Sequence, residues 1–226
     1  MAGKVPSWES ELWSYLSSGD GEHCPAYNSC ENRKKGGWCP SNNVDRITRL
    51  LDEGHFDLGK YDSIGSGECG RVFQLVGKIA EQFLKKGGVH RPPVPNELVS
   101  LADAHHPIEI RLVPLKVYHS AIWHLREGWI IQLSKDDELG RKRFSLFHEV
   151  FHILAHSKTT PVFRKVGCTQ GCFNELLADY FGGCILMPTE WVTEKWVEVK
   201  DLDRMVEIFD VTKPLMWLKL RELSLI

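Results

Sequence analysis

Arg143-Phe144-Ser145-Leu146-Phe147-His148-Glu149-Val150-Phe151-His152-Ile153-Leu154-Ala155-His156 is the stretch that decides how this chain is read. Within it, His148-Glu149-x-x-His152 sets two imidazoles four residues apart. At about 100° per residue such positions lie roughly 40° apart on a helix, so both rings can reach one metal ion from the same face. Glu149 stands beside them, where its carboxylate can take a proton from water at that ion. Phe144, Phe147, Phe151 and Leu154 repeat at helical spacing, and Val150 and Ile153 widen the stripe. The helix is therefore apolar on most sides and crosses the core. Two His and a Glu in such a helix need a purpose, because unpaired buried polar groups are costly. A chance match on a solvated helix would lack those phenylalanine flanks.

Downstream, a polar loop runs from Ser157 to Gly171, and a second apolar helix follows over Asn174 to Met187, ended by Pro188. Glu175 heads this helix and Asp179 lies one turn on, on the same face. That arrangement offers Glu175 as a third zinc ligand and Asp179 as the acceptor for a histidine N–H. Ala178, Gly182 and Gly183 are small enough to let two helices approach closely. A third histidine at the metzincin spacing is excluded, since that position is Lys158. His156, two turns beyond His148, belongs near the site rather than in it. Cys168 and Cys172 precede Glu175 and read as free structural thiols, although a thiolate there could also occlude a metal.

Upstream, Ile108-Glu109-Ile110-Arg111-Leu112-Val113 alternates as a strand, and Ser120 to Leu125 and Trp129 to Leu133 read as two more, turning at Glu127-Gly128. Three short strands just before the metal helix predict a small sheet lying against it. Tyr118, His119 and His124 are candidates, by elimination, to hold the oxyanion of a tetrahedral intermediate. The rival reading of the histidines in this region, His105, His106, His119 and His124, is as ordinary surface residues. Further back, Glu68 to Lys86 forms an amphipathic helix closed by Gly87-Gly88, and the link Arg91-Pro92-Pro93-Val94-Pro95 leads to a short helix near Asn96 to Ala104.

Arg143-Phe144 leading into His148-Glu149-Val150-Phe151-His152-Ile153-Leu154-Ala155-His156, followed by Glu175-x-x-Ala178-Asp179-x-Phe181-Gly182-x-x-Ile185-Leu186-Met187-Pro188, resembles the ImmA/IrrE family of metallopeptidases. The likeness covers roughly Glu68 to the C-terminus. It implies a zincin in which His148, His152 and Glu175 hold zinc and Glu149 is the base. It also implies a substrate class: helix-turn-helix repressors, cleaved to derepress genes of a mobile element or a stress response. Gly182 replaces the alanine usual in the pattern. The first sixty residues lie outside it.

Those residues begin with a helix on Trp8, Leu12, Tyr15 and Leu16, stopped at Gly19-Asp20-Gly21. Cys24, Cys30 and Cys39 then fall in a loop of Gly, Pro and Asn that cannot pack a core of its own. A metal would supply the missing ordering energy, with Cys69, or failing that His23, completing four ligands. Zinc or an iron–sulfur cluster would suit the thiolates. The rival reading is a loop with reduced thiols. A short helix on Val44, Ile47, Leu50 and Leu51 follows. Gly65-Ser66-Gly67 marks a joint, giving an expected division into a cysteine-bearing appendage (1–66), a zincin-like domain (67–200) and a helix-turn-helix-like pair (201–226).

In that tail Thr189-Glu190 caps a helix with Trp191, Val192, Trp196 and Val197 inward. Two short helices follow around a turn at Asp210-Val211-Thr212. Only Lys213, Lys219 and Arg221 offer positive charge on the second, against Glu222, so the pair reads as structural rather than DNA-reading. Overall charge agrees: 28 Lys and Arg stand against 30 Asp and Glu among 226 residues, giving no electrostatic case for nucleic acid or anionic membrane. The absence of a long apolar run or signal-peptide core predicts a cytoplasmic protein without membrane contact. Seven Cys, an odd number, argue against a disulfide framework.

The expectation is therefore an α+β zincin-like fold, mostly helical, with a three-stranded sheet against the His-Glu-x-x-His helix. Its expected activity is zinc-dependent endopeptidase cleavage of a protein. Two alternatives remain: a zinc-bound antirepressor that captures a repressor without cutting it, and a metal or redox sensor in which the cysteines gate the site.

Overall fold

The computed structural model describes residues 7–18, 24, 29, 67–116, 118–156, 158 and 173–226. The expected helix on Val44 to Leu51 and the cysteines Cys30, Cys39, Cys168 and Cys172 lie outside the described residues, as does the side chain of Cys69.

Helix α1 (Ser7–Ser17) buries Leu12, Trp13 and Leu16 in the same core as the rest of the described chain, although it falls within the stretch expected as an appendage. Helix α2 (Gly67–Lys86) follows the amphipathic pattern. It closes in a Schellman turn, with Gly88 at φ +64° and the Val89 N–H donating to Leu84 O at 3.0 Å. The next element, η1 (Asn96–Leu101), is a 3₁₀ helix and stops earlier than the periodicity predicts. The side chain of Asp103 explains the early stop: Oδ1 accepts the His105 and His106 N–H groups at 2.8 and 3.2 Å, turning the backbone out of the helix.

Strands β1 (Ile108–Val113), β2 (Ser120–Leu125) and β3 (Gly128–Ser134) form one sheet in the order β1-β3-β2. β3 is parallel to β1 and antiparallel to β2. β3 is central because Trp129, Ile131 and Leu133 are buried on one face and it is flanked by strands on both sides. β1 departs from expectation. Its alternation aims Ile108, Ile110 and Leu112 at the core, yet Ile110 is 40% and Leu112 61% exposed. The helical layer stops short of this edge.

Helices α3 (Leu139–His156) and α4 (Phe173–Leu186) pack face to face, with the sheet on α3 and α2 against α4. Their close approach is set by Gly182: a Cβ there would lie 3.4 Å from His148 N and 3.5 Å from Phe144 O. Aromatic rings fill the space beneath. Phe73 of α2 meets Phe173 and Tyr180 edge-on at 6.3 and 4.9 Å, Phe83 meets Phe181 at 6.1 Å, and Trp13 of α1 lies 6.2 Å from Phe151. α1 is also tied to the end of α3, because Lys158 Nζ donates to Glu9 Oε1 at 2.7 Å.

The chain ends in α5 (Thr189–Val199), α6 (Leu202–Phe209) and α7 (Lys213–Glu222). Thr189 is the first residue of α5, not its cap; Pro188 holds that position and, lacking a hydroxyl, makes no capping bond. Asp201 caps α6 and Thr212 caps α7. Arg143, buried in α3, joins three segments: it donates to Asp210 O at 3.0 Å, Asn96 Oδ1 at 2.8 Å and Val94 O at 2.6 Å. The fold is thus α+β and mostly helical. Among the described residues no helix is long and apolar enough to cross a membrane.

Candidate metal centre

α3 presents His148 and His152 from one face because they are one helical turn apart, and α4 presents Glu175 from its first turn. Gly182 brings the two helices close enough for these groups to meet. His148 Nε2 and His152 Nε2 lie 3.1 Å apart. Glu175 Oε2 is 3.2 Å from the first ring and Oε1 is 3.4 Å from the second. Tetrahedral zinc with bonds near 2.0–2.1 Å separates its ligand atoms by roughly 3.3–3.4 Å, so the triangle has the right edge length. Glu175 Oε1 is buried without a hydrogen-bond partner. Such an atom calls for a cation, because an unmet buried carboxylate oxygen is costly. Two imidazoles and one carboxylate are also a donor set that suits zinc with a position left open. The residues present therefore fit the ion.

The surroundings orient these groups. His148 Nδ1–H donates to Asp179 Oδ1 at 2.7 Å, which leaves Nε2 facing the centre. Burial works against a charged His148, but the Asp179 and Glu175 carboxylates outweigh it and hold the ring well above the ordinary histidine range. Burial likewise opposes ionisation of Glu175, and the His152 and His148 rings overcome it, lowering the carboxyl below its usual range. Glu175 and the His148 ring thus favour each other's charged forms, as a cation beside them would favour the carboxylate.

Glu149 is 4% exposed. The Ser120 hydroxyl at the start of β2 donates to its Oε1 at 2.7 Å, and Oε2 is buried with no partner. Sequence reasoning missed Ser120. A hydroxyl at the head of a strand carries no signal until the register of β2 against α3 is known. The three oxyanion candidates make contacts of their own. Tyr118 is exposed. His119 Nδ1 lies 2.8 Å from Asp137 Oδ2. His124 stacks on Trp129 at 4.1 Å and meets His156 at 4.5 Å. His156 thus belongs to this ring cluster at the end of α3. Of the proposed second metal set, Cys24 is buried with its Sγ 3.0 Å from the Tyr15 hydroxyl, and the other ligand side chains fall outside the described residues. Among the described residues, His148, His152 and Glu175 are the group that could hold a metal.

Residues 104–212 match the family described as the IrrE N-terminal-like domain, Peptidase_M78. Over those residues the chain is similar to an IrrE N-terminal-like domain. The matched span takes in the sheet, α3 and α4, and so the whole candidate centre. No curated protein matches the chain. Among solved structures, one similar chain is a Mycobacterium tuberculosis transcriptional regulator, at 13% identity and a TM-score of 0.46. The alignment covers 76% of this chain and 50% of that one, so the chain spans about half the regulator's length.

Proposed function

We propose that the protein is a zinc-dependent endopeptidase. The observation that carries this reading is the pairing of a three-donor triangle, its edges 3.1–3.4 Å, with a buried carboxylate that has one oxygen committed and one unengaged. His148 Nε2, His152 Nε2 and a Glu175 oxygen would hold the ion. Bound there, zinc would supply Lewis acidity, polarising a peptide carbonyl and making water easier to deprotonate near neutral pH.

The protein's own residues do the rest. Asp179 holds His148 in the tautomer whose Nε2 points inward. Glu149 Oε2 takes the proton from the attacking water and passes it to the departing amine, so the same oxygen serves as base and then acid. The apolar wall of Phe147, Val150 and Phe151 keeps bulk water from the back of the site.

For substrate we propose a helix-turn-helix repressor, which rests on the family resemblance and would place the reaction in the cytoplasm. The test incubates the zinc-loaded chain with a helix-turn-helix regulator encoded beside it and looks for fragments by mass spectrometry. Cleavage by the native chain, and none by Glu149→Gln at equal zinc content, supports the reading. Zinc binding with an uncut, captured repressor would favour an antirepressor instead. Cleavage by Glu149→Gln would remove Glu149 from the mechanism.

A further inference from the structure

β1 lies at one edge of the sheet, and among the described residues no strand pairs with its outer side. The ends of the β1–β3 ladder show which groups face outward. Pro107 O accepts from Trp129 N–H at 2.8 Å, and Val113 O accepts from Lys135 N–H at 2.9 Å. Backbone groups in a ladder alternate sides residue by residue, so the odd-numbered residues of β1 turn toward β3. Ile108, Ile110 and Leu112 therefore direct both N–H and C=O away from the sheet. The series ends at both sides: Pro114 has no N–H to offer, and the His106 N–H is taken by Asp103.

Side chains divide the same way. Ile110 and Leu112 stand on the helical face, where the helices leave them uncovered. Glu109 and Arg111 stand on the other face, joined by two hydrogen bonds of 2.8 Å. An edge with a full set of unmet backbone groups and exposed aliphatic side chains is a template for another strand.

We propose that this edge pairs with the same edge of a second copy of the chain, antiparallel, about a two-fold axis through Ile110. In that register Ile110 faces Ile110 and Ile108 faces Leu112. All the outward-facing residues become hydrogen-bonded pairs, each exchanging two N–H···O bonds. Glu109 then stands opposite Arg111 of the second copy, and Arg111 opposite its Glu109. These are non-hydrogen-bonded positions, where opposed Cα atoms come within about 4.5 Å and side chains are closest. Moving the axis by one residue would set Glu109 against Glu109, or Arg111 against Arg111. Charge therefore selects the register. On the helical face the same register covers Ile110 with its counterpart and packs Leu112 over Ile108, burying the aliphatic groups left in water. The contact is isologous and closes on itself, giving a dimer rather than a fibre. It does not depend on the peptidase reading.

So short an edge makes a small interface, of the kind below about 1,200 Å² that gives weak, reversible association. Sedimentation velocity on the full chain from about 1 µM to about 1 mM spans the affinities such an interface can have. The native chain is expected to pass from monomer to dimer with concentration. Glu109→Arg and Arg111→Glu each put like charges opposite one another and should weaken dimerisation at least about tenfold. An equimolar mixture of the two variants should recover it, since the paired arginines of one face the paired glutamates of the other. All these positions are exposed, so the variants should keep the native circular dichroism. A native chain that stays monomeric across the range overturns the proposal. So do single reversals that dimerise like the native chain, or a mixture no more associated than its parts.

Discussion

Replacing Asp179 by alanine removes the group that holds His148 while leaving all three proposed metal donors in place. His148 Nδ1 lies 2.7 Å from Asp179 Oδ1, with the two side chains only 15% and 14% exposed. A hydrogen bond to a charged group contributes about 1.5–3 kcal/mol at such depth. Part of that supports the α3–α4 contact whether or not metal is bound. The remainder fixes the ring so that Nε2 meets the ion, and loss of such partners lowers metal affinity by roughly 10–100-fold, or about 1.4–2.7 kcal/mol. The two estimates overlap, so zinc should bind the variant some 30-fold more weakly, near the middle of that range. Asp179→Asn keeps an acceptor without the charge and should fall between. Competition against a chromophoric chelator reads the dissociation constant, and far-ultraviolet circular dichroism checks that α3 and α4 remain helical. Should the alanine variant bind zinc within about twofold of the native chain, Asp179 does not orient a ligand, and the tautomer assigned to His148 loses its basis.

Ser120→Ala removes the donor from Glu149 Oε1, a loss of about 1.5–3 kcal/mol if felt in the transition state, so kcat should fall roughly 10–100-fold. Zinc content should stay unchanged and Ser120→Thr should recover most of the rate; an unaltered kcat in the alanine variant would free Ser120 of any part. Gly140→Ala sets a Cβ 2.6 Å from the Val211 carbonyl carbon, a backbone atom that cannot step aside. The expected cost is about 1–3 kcal/mol, read as a lower midpoint in urea, and a variant as stable as the native chain would mean that the α3–α7 junction is looser than described. Stripping divalent metal with a chelator should end cleavage and lower Tm, and added zinc should restore both. At free zinc about 100 times Kd the stabilisation is near 2.7 kcal/mol. A Tm indifferent to zinc would argue that the centre does not load.

Elements were legible where periodicity was strong. Phe144, Phe147, Phe151 and Leu154 announce α3, and β1 to β3 appear within a residue of their expected bounds. Strand order was not legible, because three short alternating segments do not say which lies in the middle. Alternation also misled at Ile110 and Leu112: it reports which face a side chain takes, not whether anything covers that face. At the site, the one-turn spacing within α3 and within α4 is local and can be read from the chain. The bond from Ser120 to Glu149 spans two elements whose relative register no local pattern encodes. The Asp103 side chain ended η1 early for a similar reason, since a turn made by one carboxylate outweighs a weak helical preference.

The ring contacts beneath α3 and α4 have a practical consequence for anyone cutting this protein down. The span that matches the known family begins after α1 and α2, yet Trp13, Phe73 and Phe83 from those helices cover Phe151, Phe173 and Phe181. A fragment trimmed to the homology boundary would leave those aromatic surfaces bare beside the residues proposed to hold zinc. It would be expected to clump or to lose metal for reasons unrelated to chemistry, and expression should therefore start no later than Ser7.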